Sequence, residues 1–159
     1  MRQTLLRKRA QHSKSKTDRP RLARTFPGSS LGLNARDTQD LIRELQKGFP
    51  FKTLQALSSH TGVHPLEIAS VLSIPERTLA RRRSAGRFAS DESERLLRLS
   101  RIFDLALELF NGDTRAAVTW LRTPRKALGN NAPFDYSATE LGAREVETLI
   151  GQLVHGIFP

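Results

Sequence analysis

The side chains with the clearest chemical purpose in this 159-residue sequence are arginines: Arg77, Arg81, Arg82, Arg83 and Arg87, with Thr78 among them. A guanidinium is always charged and presents a flat fork of donors. It pairs with guanine O6 and N7 or with phosphate oxygens, and it does not shuttle protons. Such a run therefore suits nucleic-acid contact, with Arg77, Thr78 and Arg81 near base edges and Arg82, Arg83 and Arg87 placed for phosphates. A solvated helix face has the same composition, and the pattern alone leaves that alternative open. Residues for other chemistries are sparse. The chain has no cysteine, so neither a disulfide nor a thiolate metal site can form. His12, His60, His64 and His155 are scattered, and Gly62 and Pro65 break the helix that would align His60 with His64 on a metal. Asp91, Glu92 and Glu94 suit a helix N-terminus better than catalysis. There is no Ser-His-Asp order, paired-carboxylate motif or glycine-rich phosphate loop. The expectation is a binding protein and not an enzyme, with no catalytic residues, no metal and no cofactor.

The charge distribution points the same way. Lys plus Arg number 26 against 16 Asp plus Glu, a formal charge of +10 that favours polyanionic partners. Residues 1–36 hold 10 basic and 1 acidic side chain, residues 37–90 hold 8 and 5, and residues 91–159 hold 8 and 10. A basic front and a slightly acidic back imply two partners. The start, Met1 to Ala10, has only Leu5 and Leu6 as an apolar pair, short of a secretory signal. No apolar run approaches the roughly 18 residues of a spanning helix. A cytoplasmic protein without membrane contact is expected.

The elements that must position the arginines are all helical. Residues 1–36 have few apolar anchors and read as a basic, flexible arm whose ordered neighbour begins near Asp37. Leu41, Ile42 and Leu45 mark a first helix stopped by Gly48 and Pro50; a second follows from Phe51 to a C-cap at His60–Gly62. Pro65 opens a short third helix with Leu66, Ile68, Ala69 and Leu72 inward. Ser73 to Pro75 make a tight turn, and a fourth helix from Glu76 carries the arginines to Gly86. This is the form of a helix-turn-helix, with small Ala69 at the close approach and Ile74 and Leu79 between the helices. Ser90, as N-cap, to Phe110 is apolar on more than one face and reads as a central helix or a dimer seam. Asp113 caps a helix through Trp120 and Leu121, a turn-rich stretch spans Ala127 to Tyr136, and a last helix runs from about Ala143 to His155. The division is an arm over 1–36, a helix-turn-helix and dimerisation domain over 37–112, and a small helical domain over 113–159, in an all-α fold without internal repeats.

The C-terminal domain carries a recognisable signature. Trp120-Leu121, Pro124, Ala127-Leu128-Gly129 and Pro133, followed by Thr139, Gly142, Val146, Leu149, Ile150 and Gly156, resemble the WLxxPxxALGGxxP motif and the ending of the Xre/MbcA/ParS antitoxins. The resemblance spans Asp113 to Pro159, with a helix-turn-helix upstream as in that family. Asn130 stands where the family has its second glycine, and Asn tolerates the left-handed backbone that such a turn uses. The resemblance implies a type II toxin–antitoxin partner of the RES-domain, NAD-consuming class, neutralised by covering its active site. It also implies a homodimer that represses its own operon by binding operator DNA. Trp120, Leu121, Pro124, Leu128 and Gly129 would be framework residues of the toxin-binding domain, with the tail Gly156, Ile157, Phe158 and Pro159 at or near the toxin. Ile157 and Phe158, two large apolar residues beside the terminus, are costly to leave in water and should dock on their own domain or on a partner. A stand-alone helix-turn-helix regulator with a C-terminal oligomerisation domain is the competing expectation.

Overall fold

The computed structural model describes residues 28–156. Its organising element is the helix that the sequence makes apolar on more than one side. Leu96, Leu99, Ile102, Phe103 and Ala106 along Ser90–Leu109 form one buried stripe, and Ser93, Ser100 and Asp104 beside it are buried as well, so the covered arc is wider than a single apolar face. We number the helices α1 (Thr38–Lys47), α2 (Lys52–Thr61), α3 (Pro65–Val71), α4 (Glu76–Ala85), α5 (Ser90–Leu109), α6 (Thr114–Arg122), α7 (Pro133–Tyr136) and α8 (Glu140–Val154), with 3-10 turns at Ser29–Leu31 and Lys126–Leu128. Among the described residues there is no strand, only isolated bridges pairing Pro50 with Arg87 and Arg125 with Asn131. No described helix is long and apolar enough to cross a membrane.

Around α5 pack α1, α2 and the first 3-10 turn, together with α6 and α8. The hydrophobic core runs unbroken from Leu31 to Ile150, so residues on either side of position 112 share it. Leu57, Val63 and Ile68 from the front meet Leu99 and Phe103 of α5 and Leu121 and Phe134 from the back around one small apolar void. Against α5, α8 is fastened by Arg98 to Glu140 at 2.8 Å and Arg101 to Glu147 at 3.1 Å.

Three boundaries depart from the sequence reading. The arm was expected to reach residue 36, yet Ser29–Leu31 forms a 3-10 turn packed on α2 and α5, with Leu31 only 1% exposed. Leu31, with Leu33 and Ala35 packed beside it, is too short an apolar stretch to show a helical period, but it seals the core against α2 and α5. Residues 1–27, the rest of the expected arm, lie outside the described residues. At the start of α5 the capping position belongs to Ala89 and not Ser90. Alanine has no acceptor to offer, and the end is instead held by Glu92, whose Oε2 accepts the Ala89 N–H at 2.8 Å. The last helix begins at Glu140, three residues before Ala143, because Thr139 caps it by accepting the Gly142 N–H at 3.0 Å.

Candidate nucleic-acid and partner interfaces

The α3–α4 pair is set by a short turn. Ser73 takes a left-handed backbone (φ 54°), and the Ile74 N–H donates to the Ala69 carbonyl at 2.8 Å, closing the four-residue connection Leu72–Pro75. Ile74, Ala69 and Leu79 are buried where the two helices cross. With Leu79 directed to the core, Arg77, Ala80, Arg81 and Ser84 are left exposed along α4. Arg77 and Arg81, four residues apart on one face, make no ion pair with any described residue. Thr78 is half-buried beside them.

The other three arginines have partners within the protein. Arg82 Nε donates to Glu92 Oε2 at 2.7 Å, and the Glu92 side chain is only 6% exposed. That one carboxylate oxygen also holds the first turn of α5, so the pair locks α4 to α5. The Arg83 guanidinium lies 5.5 Å from the centre of the Phe51 ring, which stacks on Phe88 at 5.3 Å. Arg87 Nε donates to the Gly48 carbonyl at 2.9 Å, and its Nη2 reaches Glu44 at 3.5 Å. Gly48 is required there: a Cβ would stand 2.0 Å from the Phe88 carbonyl oxygen, and φ is +79°. Sequence reasoning grouped the five arginines because their partners are remote in the chain. Glu92 itself had been read only as helix-end charge.

The C-terminal domain is built on a corner. Asp113 caps α6 by accepting the Ala116 N–H at 2.9 Å, and Arg125 and Asn131 bridge the turn that carries Gly129 and Asn130 at positive φ. Trp120 (7% exposed), Leu121 and Leu128 are buried, whereas Pro124 and Gly129 lie at the surface. The Trp120 ring contacts Phe110 at 6.4 Å between centres and carries the Arg125 guanidinium 5.0 Å above it. At the α7–α8 corner, a Cβ on Gly142 would stand 1.9 Å from the Tyr136 carbonyl oxygen, so only glycine lets α8 approach so closely. Gly156 is exposed just after α8, and Ile157, Phe158 and Pro159 lie outside the described residues.

Asp104 had no part in the sequence reading. It accepts from Ser29 Oγ at 3.3 Å, under the first 3-10 turn. Burial pushes its carboxyl up to about 6, against the opposing pull of the nearby Ser30 and Ser29 hydroxyls and of the charge on His60. Among the described residues no group of three or more His, Cys, Asp or Glu could hold a metal ion.

The two surfaces coincide with two known domains. Residues 40–101 match the family model described as the antitoxin Xre-like helix-turn-helix domain, and residues 105–156 match that of the antitoxin Xre/MbcA/ParS C-terminal toxin-binding domain. Curated relatives agree. The chain is 40% identical over 129 residues to the antitoxin Xre of Yersinia enterocolitica, covering 80% of this chain and 87% of that protein. It is 36% identical over 114 residues to the antitoxin Xre of Photorhabdus laumondii, covering 71% and 77%. A third relative, the antitoxin Xre of Pseudomonas putida, is 30% identical over 118 residues, covering 74% and 72%. With a helix-turn-helix domain joined through one shared core helix to a toxin-binding domain, the chain belongs to the Xre/MbcA/ParS family of toxin–antitoxin antitoxins.

Proposed function

We propose that this protein neutralises a RES-domain, NAD-consuming toxin by covering its active site, and that as a cytoplasmic homodimer it represses the operon encoding both. The observation that carries the reading is the division of the molecule: Arg77 and Arg81 exposed on α4 without an ion pair among the described residues, and a toxin-binding domain whose last helix, α8, is followed by exposed Gly156. DNA recognition then rests on Arg77, Thr78 and Arg81, with Arg83 and Arg87 exposed enough to reach phosphates from the end of α4. Arg82, paired with a buried carboxylate, positions the helix instead. On the toxin side, Trp120, Leu121 and Leu128 act as framework under a surface formed with Pro124, Gly129 and the tail Gly156 to Pro159.

The test is co-expression with the neighbouring reading frame. Cells making that protein alone should lose NAD and stop growing, and the full chain should rescue them. Removing residues 156–159 should weaken rescue while leaving the dimer intact. A neighbour that leaves NAD untouched overturns the assignment of the toxin class, and full rescue by the truncated chain removes the tail from the mechanism.

A further inference from the structure

A surface groove on the C-terminal domain is explained neither by core packing nor by the arginines of α4. It lies along α6 and the segment after it, floored by Phe110 and Trp120 and edged by Arg115, Thr119 and Arg125, with Asp113 at one end. Its two arginines differ from four others on α5, α6 and α8. Arg98, Arg101, Arg122 and Arg144 are each paired with a glutamate, but Arg115 and Arg125 make no ion pair with any described residue. Arg125 is also fixed in place. Its Nη2 donates to the Trp120 carbonyl at 3.2 Å, its plane rests on the Trp120 ring, and its Nε is buried without an acceptor. Burial draws its pKa below the usual arginine range, so this cation is held partly dehydrated and without a counter-charge. An incoming carboxylate would recover interaction energy here without first having to order the arginine.

We infer that this groove seats an acidic side chain of the toxin, an aspartate or glutamate held by Arg125 and Arg115 over the Phe110–Trp120 floor. The inference rests on the reading of this chain as a toxin-binding antitoxin, and the groove lies within the matched segment 105–156. Charge selects the occupant. Residues 91–159 carry 8 basic and 10 acidic side chains, which disfavours an extended polyanion, whereas one carboxylate needs only the local pair. Asp113 is occupied as the α6 cap and places the acid toward Arg125 and Arg115.

The experiment uses the full chain and the purified product of the neighbouring gene, with affinity measured for wild type, Arg125→Gln and Arg115→Glu. Each substitution should raise the toxin Kd about tenfold and leave operator affinity unchanged. Arg115 is exposed and makes no ion pair, so its variant folds even if Arg125→Gln is damaged. Trp120 is the only tryptophan, so fluorotryptophan labelling gives one resonance, which should shift when toxin binds. Toxin affinity unchanged in both variants overturns the inference while leaving the antitoxin reading intact. A wild-type chain that does not bind the toxin overturns that reading itself. Equal loss of operator affinity would make the groove a phosphate surface, and a change confined to self-association would make it a contact between copies; either result refutes the proposal.

Discussion

The arginines of the α3–α4 region and those of the C-terminal domain are chemically identical, but they are held differently. Around α4, three of five are engaged by groups from remote segments: Arg82 by Glu92, Arg83 by the Phe51 ring, Arg87 by the Gly48 carbonyl. Arg77 and Arg81 project from a helix whose orientation those contacts fix. In the C-terminal domain Arg122 and Arg144 bind exposed glutamates, and Arg115 and Arg125 face an aromatic groove. The difference teaches that an arginine's role is set by the depth of its partner. A buried carboxylate makes it structural, an exposed one contributes little, and the absence of one leaves it available to another molecule.

The largest effect should come from the corner that holds the toxin-binding domain together. In Gly142→Ala the new methyl meets the Tyr136 carbonyl backbone, which no side-chain rotation can relieve. We expect a loss of roughly 4 kcal/mol in urea denaturation. Because α5 serves both regions, the variant should still unfold in one transition, with both activities lost together. Two separated transitions would break the comparison by showing that the regions fold independently.

Next comes the contrast within α4. Arg82→Ala strands the buried Glu92 carboxylate and should cost about 2–3 kcal/mol, whereas Arg81→Ala, on an exposed face, should change stability by less than about 0.5 kcal/mol. Adding Glu92→Gln to Arg82→Ala should recover part of the loss, since the unpaired charge is then gone. Equal stability of the two single variants would erase the distinction between structural and available arginines.

Much of this was legible before the structure. The α3–turn–α4 unit announced itself through Pro65, Ala69, the Ser73–Pro75 turn and Gly86, because helix starts and stops are local chemistry. The capping role of Asp113 was legible for the same reason, and the family resemblance marked Trp120 as framework. What periodicity could not show were contacts between distant positions. Leu31 and its neighbour Leu33 anchor a segment too short to show a pattern, Glu92 gains its partner only when α4 folds back on α5, and Asp104 lies beneath a turn 75 residues away in sequence. Division of the arginines into paired and unpaired groups depends on that third kind of information, and so does the Arg115–Arg125 groove.

Asp104 supplies a comparison of the same kind for an acid. Its folded-state carboxyl is raised from 3.8 to about 6, so the folded protein holds this proton more tightly than the unfolded chain does. Stability associated with the neutral acid is full below pH 4 and is lost as pH rises through about 6; at neutral pH the buried charge is a burden. Asp104→Asn, which can still accept from Ser29, should therefore stabilise the protein by about 2 kcal/mol at pH 7.5. The gain should shrink toward zero as pH falls to 4. A gain independent of pH would trace it to packing and not to ionisation.

The smallest expected effect bears most directly on DNA recognition. If all five arginines of the α4 region met DNA phosphates, log affinity would fall with log salt at a slope near −4 to −5 per subunit. Arg82 cannot serve as a phosphate contact without abandoning Glu92, so its loss should leave the slope unchanged once the unfolded fraction is accounted for. Arg77→Ala and Arg81→Ala should each weaken binding by about tenfold, and each that contacts a phosphate should reduce the slope by about 0.9. An arginine that reads a base edge should instead relax sequence preference at one position of the site while its effect on the slope stays small. Measuring both quantities for the two variants would separate grip from readout on a single helix face. A flat salt response in the wild-type chain would return that face to plain solvent exposure.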